Sequence, residues 1–243
     1  MQETDSSFSK GAARQSNGWQ SVAADVQADI LVGRILPRER LIEDELIVRF
    51  GATRHAVRRA LDELERLGLV VRRPNRGAQV CDYTPKDIED LYAIRYALEG
   101  LAAASLPVPG DAGLLTALRE VATAHQEASA AMAFSEIARL NNLFHDTLFA
   151  SAGNEELASA IRLYALRTQP IRSRGFADSE LRRRAVGEHF AMCDALERGE
   201  RETLAALCRE HIRWPMEFYL ATIAPVATQT TGAPLASATG SER

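Results

Sequence analysis

Two groups of side chains in this chain could do chemistry by their type and spacing. The first is basic. Arg54, His55, Arg58 and Arg59 fall in the first two turns of a helical run whose positions Ala56, Val57, Ala60, Leu61, Leu64 and Leu67 are apolar. Helical periodicity therefore packs one face and projects the basic groups from the other. Guanidinium groups on such a face suit the base edges and phosphates of a DNA major groove. The second group is a set of metal-ligand types. Asn141 and His145 are four apart and share a helical face, with Phe144 beside them directed to the core. His189 precedes Gly199, and His211 follows it at a similar distance, so a helical hairpin turning at Gly199 would hold both at one height. Imidazoles from two elements meeting in a bundle core suit Zn²⁺ or another divalent transition ion, with water or a ligand in the open positions. A single helical histidine is more often structural, so spacing alone leaves that alternative standing.

The elements that must position these groups can be read around them. Val22, Val26 and Ile30 mark a first helix ending near Gly33, and Leu41 to Phe50 a short second one. Gly51-Ala52 makes the corner, and Thr53 offers its hydroxyl as N-cap to the arginine-bearing helix. After Gly68, two short β-branched segments flank Pro74-Asn75-Arg76-Gly77, a tight-turn composition. Three helices and this hairpin make a winged helix-turn-helix over residues 19–82. From 84 to 223 the pattern is helical, with apolar stripes over 85–105, 111–132, 134–151, 154–172, 178–198 and 201–222. It predicts an antiparallel bundle of six helices, so the fold class is mainly α. Residues 1–18 and 224–243 are rich in Ser, Gln, Gly, Ala and Thr and are expected to be disordered tails.

A chain of 243 residues fits a small domain followed by a larger one. Its formal net charge of −4 would argue against a nucleic-acid partner. Local charge reverses that, because arginines at 49, 54, 58, 59, 66, 72, 73 and 76 outnumber Asp62, Glu63 and Glu65 in that stretch. Cys81, Cys193 and Cys208 are odd in number and lack CxxC spacing, which reads as a reduced, cytoplasmic protein. No apolar run approaches a membrane span, and no signal-peptide pattern opens the chain.

The ordered set Gly33, Leu36-Pro37, Glu39-Arg40-Leu41, Glu43, Glu45-Leu46, Phe50-Gly51, Thr53-Arg54, Val57-Arg58, Ala60-Leu61, Leu64, Gly68-Leu69 and Asn75-Arg76-Gly77 resembles the amino-terminal pattern of the GntR superfamily of bacterial regulators. Arg38 stands where that family usually has glycine. Residues 84–222 resemble the FCD ligand-binding domain of its FadR branch, and six helices favour the VanR-like subgroup. Arg95-x-x-Leu98-Glu99 resembles that domain's first-helix signature, and Asn141-x-x-Phe144-His145 its Asp-x-x-Phe-His motif. The resemblance implies DNA contacts from Thr53, Arg54 and Arg58 and from Asn75, Arg76 and Gly77 on the wing, to which the exposed positions of His55, Arg72 and Arg73 add those residues. It also implies a divalent metal, Zn foremost with Ni or Mn as alternatives, on Asn141, His145, His189 and His211, which would help bind a small organic acid. Arg95 is then a candidate second anchor for the carboxylate, or else a surface partner of Glu99. Asn141 replaces the family's aspartate and lacks its charge, which lowers the expected affinity.

The expected protein is a ligand-responsive repressor that binds a short inverted repeat of double-stranded DNA as a homodimer. Two rivals belong to other classes. One is a metal-dependent enzyme fused to a winged module, with Glu188 as the nearest base, although Glu188 would point away from the face of His189. The other is a helical interaction protein whose winged domain meets protein instead of DNA. Arg172, Arg174 and Arg182-Arg183-Arg184 read as a solvated face.

Overall fold

A computed structural model describes residues 18–73 and 77–223. The expected tails, the turn residues Pro74, Asn75 and Arg76, and the side chain of Arg73 lie outside what is described. Among the described residues the chain is mainly helical, with one three-stranded sheet.

The amino-terminal unit runs α1 (Trp19–Leu31), β1 (Arg40–Leu41), α2 (Glu43–Phe50), α3 (Arg54–Arg66), β2 (Val70–Arg73) and β3 (Gly77–Val80). Three acids open α2 and Arg49 closes it, each at the helix end whose dipole it complements. Gly51 then takes a left-handed φ of 59° as its C-cap, a conformation glycine adopts without a Cβ penalty. Thr53 Oγ1 accepts the Ala56 N–H at 3.1 Å and starts α3. Val22, Val26, Val57, Leu61 and Leu64 meet in one core between α1 and α3. Leu41, expected to open the second helix, lies instead in β1, opposite Ala78 of β3, and the sheet order is β1-β3-β2. A two-residue strand carries no alternation that periodicity could detect.

Arg38 occupies the usual glycine position with a φ of 68°. That is left-handed backbone, which costs a non-glycine residue about 1–2 kcal/mol. The surrounding structure holds it there. Its N–H donates to Val80 O at 3.1 Å, its carbonyl accepts from Gln79 Nε2, and its guanidinium pairs with Asp82.

The second unit contains α4 (Pro85–Ser105), α5 (Ala112–Ala130), α6 (Phe134–Ala150), α7 (Glu155–Arg167), α8 (Gln169–Arg172), a 3-10 turn (Ser173–Ala177), α9 (Ser179–Arg198) and α10 (Arg201–Ile223). Side-chain caps fix most starts. Thr84 and Asp87 form a capping box with Pro85 in the first turn, and Asp111, Asn154 and Asp178 accept backbone N–H groups of α5, α7 and α9. Gly199, at φ 73°, ends α9 and lets α10 fold back along it. The expected helix over 154–172 is broken after Arg167. Pro170 has no N–H to extend the ladder, so six long helices are joined by one short helix and a 3-10 turn.

Candidate nucleic-acid interface and buried histidine cluster

The exposed face of α3 carries Arg54, His55, Arg58 and Arg59. The fold also brings α2 acids to this face, which a count along the α3 sequence omits. Arg54 pairs with Asp44 at 2.6 Å and approaches Glu43 at 3.5 Å, while Arg58 holds Glu43 at 2.9 Å. Arg54 and Arg58 keep more than half of their side-chain surface in water, and such solvated pairs are worth only ~0–1 kcal/mol, so phosphate or base edges can displace them. Arg59 is turned aside, its guanidinium 4.6 Å from the centre of the Trp19 ring. On the wing, Arg72 bonds Asp62 at 2.9 Å and Arg58 O at 3.1 Å, which ties the hairpin to α3. Gly77 is exposed where β3 begins.

In the helical unit, α6 presents Asn141 and His145, α9 presents His189 and α10 presents His211, all buried. The ligand atoms of the three histidines lie within 4.8 Å of one another. His145 Nε2 and His189 Nε2 are 3.4 Å apart, and Asn141 Oδ1 is 3.3 Å from His211 Nε2. Phe144 stacks on His189 with centroids 4.1 Å apart and fixes its ring. Glu188, expected to point away, crosses the α9–α10 seam and accepts the His211 Nδ1–H at 2.9 Å while also holding Arg184 at 2.7 Å. A periodicity argument compares faces within one helix and misses a carboxylate that reaches the next one.

Burial opposes ionisation of Glu188. The His211 bond and charge, followed by Arg184, outweigh that and leave its carboxyl below the usual range. In its neutral form, with the Nδ1–H donated to Glu188, His211 turns an Nε2 lone pair toward Asn141 Oδ1. Two acceptors then face each other, whereas the Nε2 atoms of His145 and His189 can share one proton as donor and acceptor. A divalent ion would relieve the first contact and replace the shared proton of the second. Ligand atoms about 2.1 Å from one ion are roughly 3.0–3.4 Å apart, the separation of the two pairs above, although the three histidines as a set spread to 4.8 Å and would close in on an ion; a carboxylate behind a ligating histidine is the usual outer support. Burial, then the charge at His211, holds His145 and His189 well below the ordinary histidine pKa, as neutral donors. These residues fit a divalent ion.

A cavity with about 640 Å³ of atom-free space, mouth included, opens beside the cluster. Its lining includes Arg95, Arg172, Arg184, Asn141, His125 and His211. Arg95 is buried and not a surface partner of Glu99. Its Nε donates to Glu99 Oε1 at 2.8 Å and its Nη1 to Thr168 Oγ1 at 3.1 Å. Arg172, read from sequence as solvated, is 7% exposed; it bonds Asn142 at 2.9 Å, Ala165 O at 3.1 Å and Gln169. Burial, then the charge of Arg95, pulls its pKa down to about 10. Arg182 and Arg184 also line the cavity, Arg184 lying 3.8 Å from the Trp214 ring centre; Arg174, Arg183 and Arg184 are exposed as expected, and Arg182 is half-buried. The break after Arg167 is what turns Arg172 inward. Sequence reasoning also missed His125 of α5, which is 1% exposed with its ring 4.8 Å from that of His189.

Residues 90–213 match the model of the FCD domain, and residues 19–80 that of the bacterial regulatory proteins of the gntR family. An uncharacterised HTH-type transcriptional regulator of Bacillus subtilis is 31% identical over 133 residues, covering 54% of this chain and 59% of that protein. A Paenarthrobacter nicotinovorans protein named as a probable D-xylose utilization operon transcriptional repressor is 28% identical over 190 residues, covering 76% of this chain and 80% of its own. The crystal structure of a Rhodococcus sp. RHA1 protein assigned to the GntR regulators superposes with a TM-score of 0.71 at 21% identity, covering 84% of this chain and 97% of that one, which speaks for the fold. Among the described residues no helix is long and apolar enough to cross a membrane.

Proposed function

The chain belongs to the gntR family of bacterial regulatory proteins and carries its FCD domain, and on that premise we propose that it is a repressor released from or recruited to DNA by a small organic acid. Its relatives are transcriptional regulators, not enzymes. In this reading Asn141, His145, His189 and His211 hold a divalent ion, with Zn favoured over Ni or Mn by the nitrogen-rich donor set. When bound, the ion would supply a Lewis-acidic position for one carboxylate. Arg95 and Arg172 are buried, both line the cavity, and they offer guanidinium forks to the acid.

The observation that carries the reading is the cluster of three buried histidines, their ligand atoms within 4.8 Å, of which His211 lines, with Asn141, a cavity that also contains two buried arginines. Repression is favoured by the name of the Paenarthrobacter relative. A homodimer follows from size, since one winged module covers too little DNA to select a site, whereas two on a two-fold axis read an inverted repeat. The direct test is metal analysis of the purified protein, followed by operator titration with and without candidate acids. An ion should be present, and His145→Ala, His189→Ala and His211→Ala should bind operator but lose the response. A metal-free protein that responds fully to an acid would overturn the metal half of the reading.

A further inference from the structure

On α5, His125 and Ser129 sit one turn apart and both line the cavity. His125 is 1% exposed, and neither of its ring nitrogens has a hydrogen-bond partner; the buried Oγ of Ser129 has none either. An unpaired buried polar atom costs roughly 1–3 kcal/mol, and the neighbouring buried positions of this helix, Leu118, Ala122 and Ala128, are apolar. Packing alone would be served as well by an apolar pair. His125 is also not one of the three histidines whose ligand atoms cluster, and the ring it touches is that of His189, at 4.8 Å and a tilt of 44°. What it faces besides that ring is the cavity, whose lining also includes Arg95 and Arg172.

The geometry points to a division of labour in that cavity: the arginines and the ion take the carboxylate, while His125 and Ser129 read a hydroxyl elsewhere on the same molecule. The effector is then a hydroxylated carboxylic acid and not a plain one. The inference rests on the acid-sensor reading given above and adds the class of acid. An imidazole can donate from one nitrogen and accept at the other, and a serine hydroxyl can do both, so the pair can satisfy a hydroxyl in either sense. A site built to hydrogen-bond a hydroxyl discriminates strongly against the analogue lacking it, because the site's own polar atoms are then left unpaired.

The test is calorimetric titration of the full-length, ion-loaded protein with matched acids: malate against succinate, lactate against propionate and gluconate against hexanoate. In at least one pair the hydroxylated member should bind about tenfold tighter or more, the equivalent of one well-made buried hydrogen bond. His125→Phe and Ser129→Ala should each bring that ratio to within about threefold with the ion content unchanged. Ser129→Ala deletes one oxygen, so it keeps the test open if His125→Phe fails to fold. Equal affinity within every pair overturns the inference and leaves the sensor reading in place. If no acid of any pair binds, the sensor reading falls and takes the inference with it. Loss of the ion from His125→Phe would place His125 in the donor set and also overturn it.

Discussion

Acid should destabilise the ligand-free, ion-free protein through His125, by an amount the structure allows to be worked out. Burial, then the positive charge at His211, pulls this imidazole from its ordinary 6.5 to about 4. The folded-state pKa is depressed, so between pH 6.5 and 4 the unfolded chain takes up a proton that the folded chain refuses. Stability is therefore intact above about pH 6.5 and falls as the pH drops. At about 1.4 kcal/mol per pKa unit, the full loss approaches ~3 kcal/mol near pH 4 and is about 2 kcal/mol at pH 5. His145 and His189 are also held well below the ordinary value and add to the total, so the share of His125 is isolated by difference. Urea unfolding of the wild type and of His125→Phe, each stripped of metal, would be followed by circular dichroism at pH 7.5 and pH 5. Acidification should cost the wild type about 2 kcal/mol more than the variant. Equal losses would mean that His125 is solvated or paired in the folded protein, and the account of it as an unpartnered cavity residue would fail.

Three further outcomes are expected. His145→Ala, His189→Ala or His211→Ala should each abolish divalent-ion binding, and Asn141→Asp should tighten it about tenfold or more by restoring a charge, as measured by chelator competition. Arg54→Ala or Arg58→Ala should cost about 1–3 kcal/mol of selective binding, read in gel shifts on an operator recovered by selection, with helicity unchanged; full affinity in both variants would refute the docking of α3 in the major groove. Arg38→Gly should raise stability by about 1 kcal/mol in thermal or urea unfolding, because relief of left-handed strain outweighs loss of the exposed pair with Asp82.

The sequence was most readable where one element decides the outcome. Thr53 as N-cap, the corner at Gly51 and the stop at Gly199 each depend on local backbone chemistry, and each stands where that chemistry puts it. The pairing of Asn141 with His145 followed from helical spacing. The proximity of His189 to His211 required only that two helices fold back at a glycine. What stayed hidden depends on contacts between elements. Arg172 looked solvated because its apparent helix continued through Pro170; once the chain turns there, the same residue faces the cavity. Glu188 looked misdirected because its partner is on the next helix. The acids that meet Arg54 and Arg58 come from α2, ten to fifteen residues away in sequence, and no count along α3 includes them. His125 gave one usable signal, a histidine at an interior position of an otherwise Ala- and Leu-rich helical stripe.

The segment that closes the cavity also meets the winged unit. Phe176, in the 3-10 turn, lines the cavity beside Arg172 and also a cleft shared with Ile30 and Leu31 of α1. Leu166, at the end of α7, packs against the amino-terminal core, and Tyr83 donates to the carbonyl of Gly68 at 2.7 Å across the same junction. Proximity does not by itself create coupling; a ligand shifts an equilibrium only by its differential affinity for two arrangements. The break at Pro170 is where such a difference can be stored. Four residues of helix and one 3-10 turn are held on the cavity side by the bonds of Arg172 to Asn142, Ala165 and Gln169, and on the other side by apolar contact with α1. An acid that draws the Arg172 guanidinium away from Asn142 and Gln169 would exchange those bonds for its own and bear on this short segment directly. Because α1 forms one core with α3, a shift there would move the arginine face as a unit, changing the spacing of two recognition helices in a dimer without altering either one.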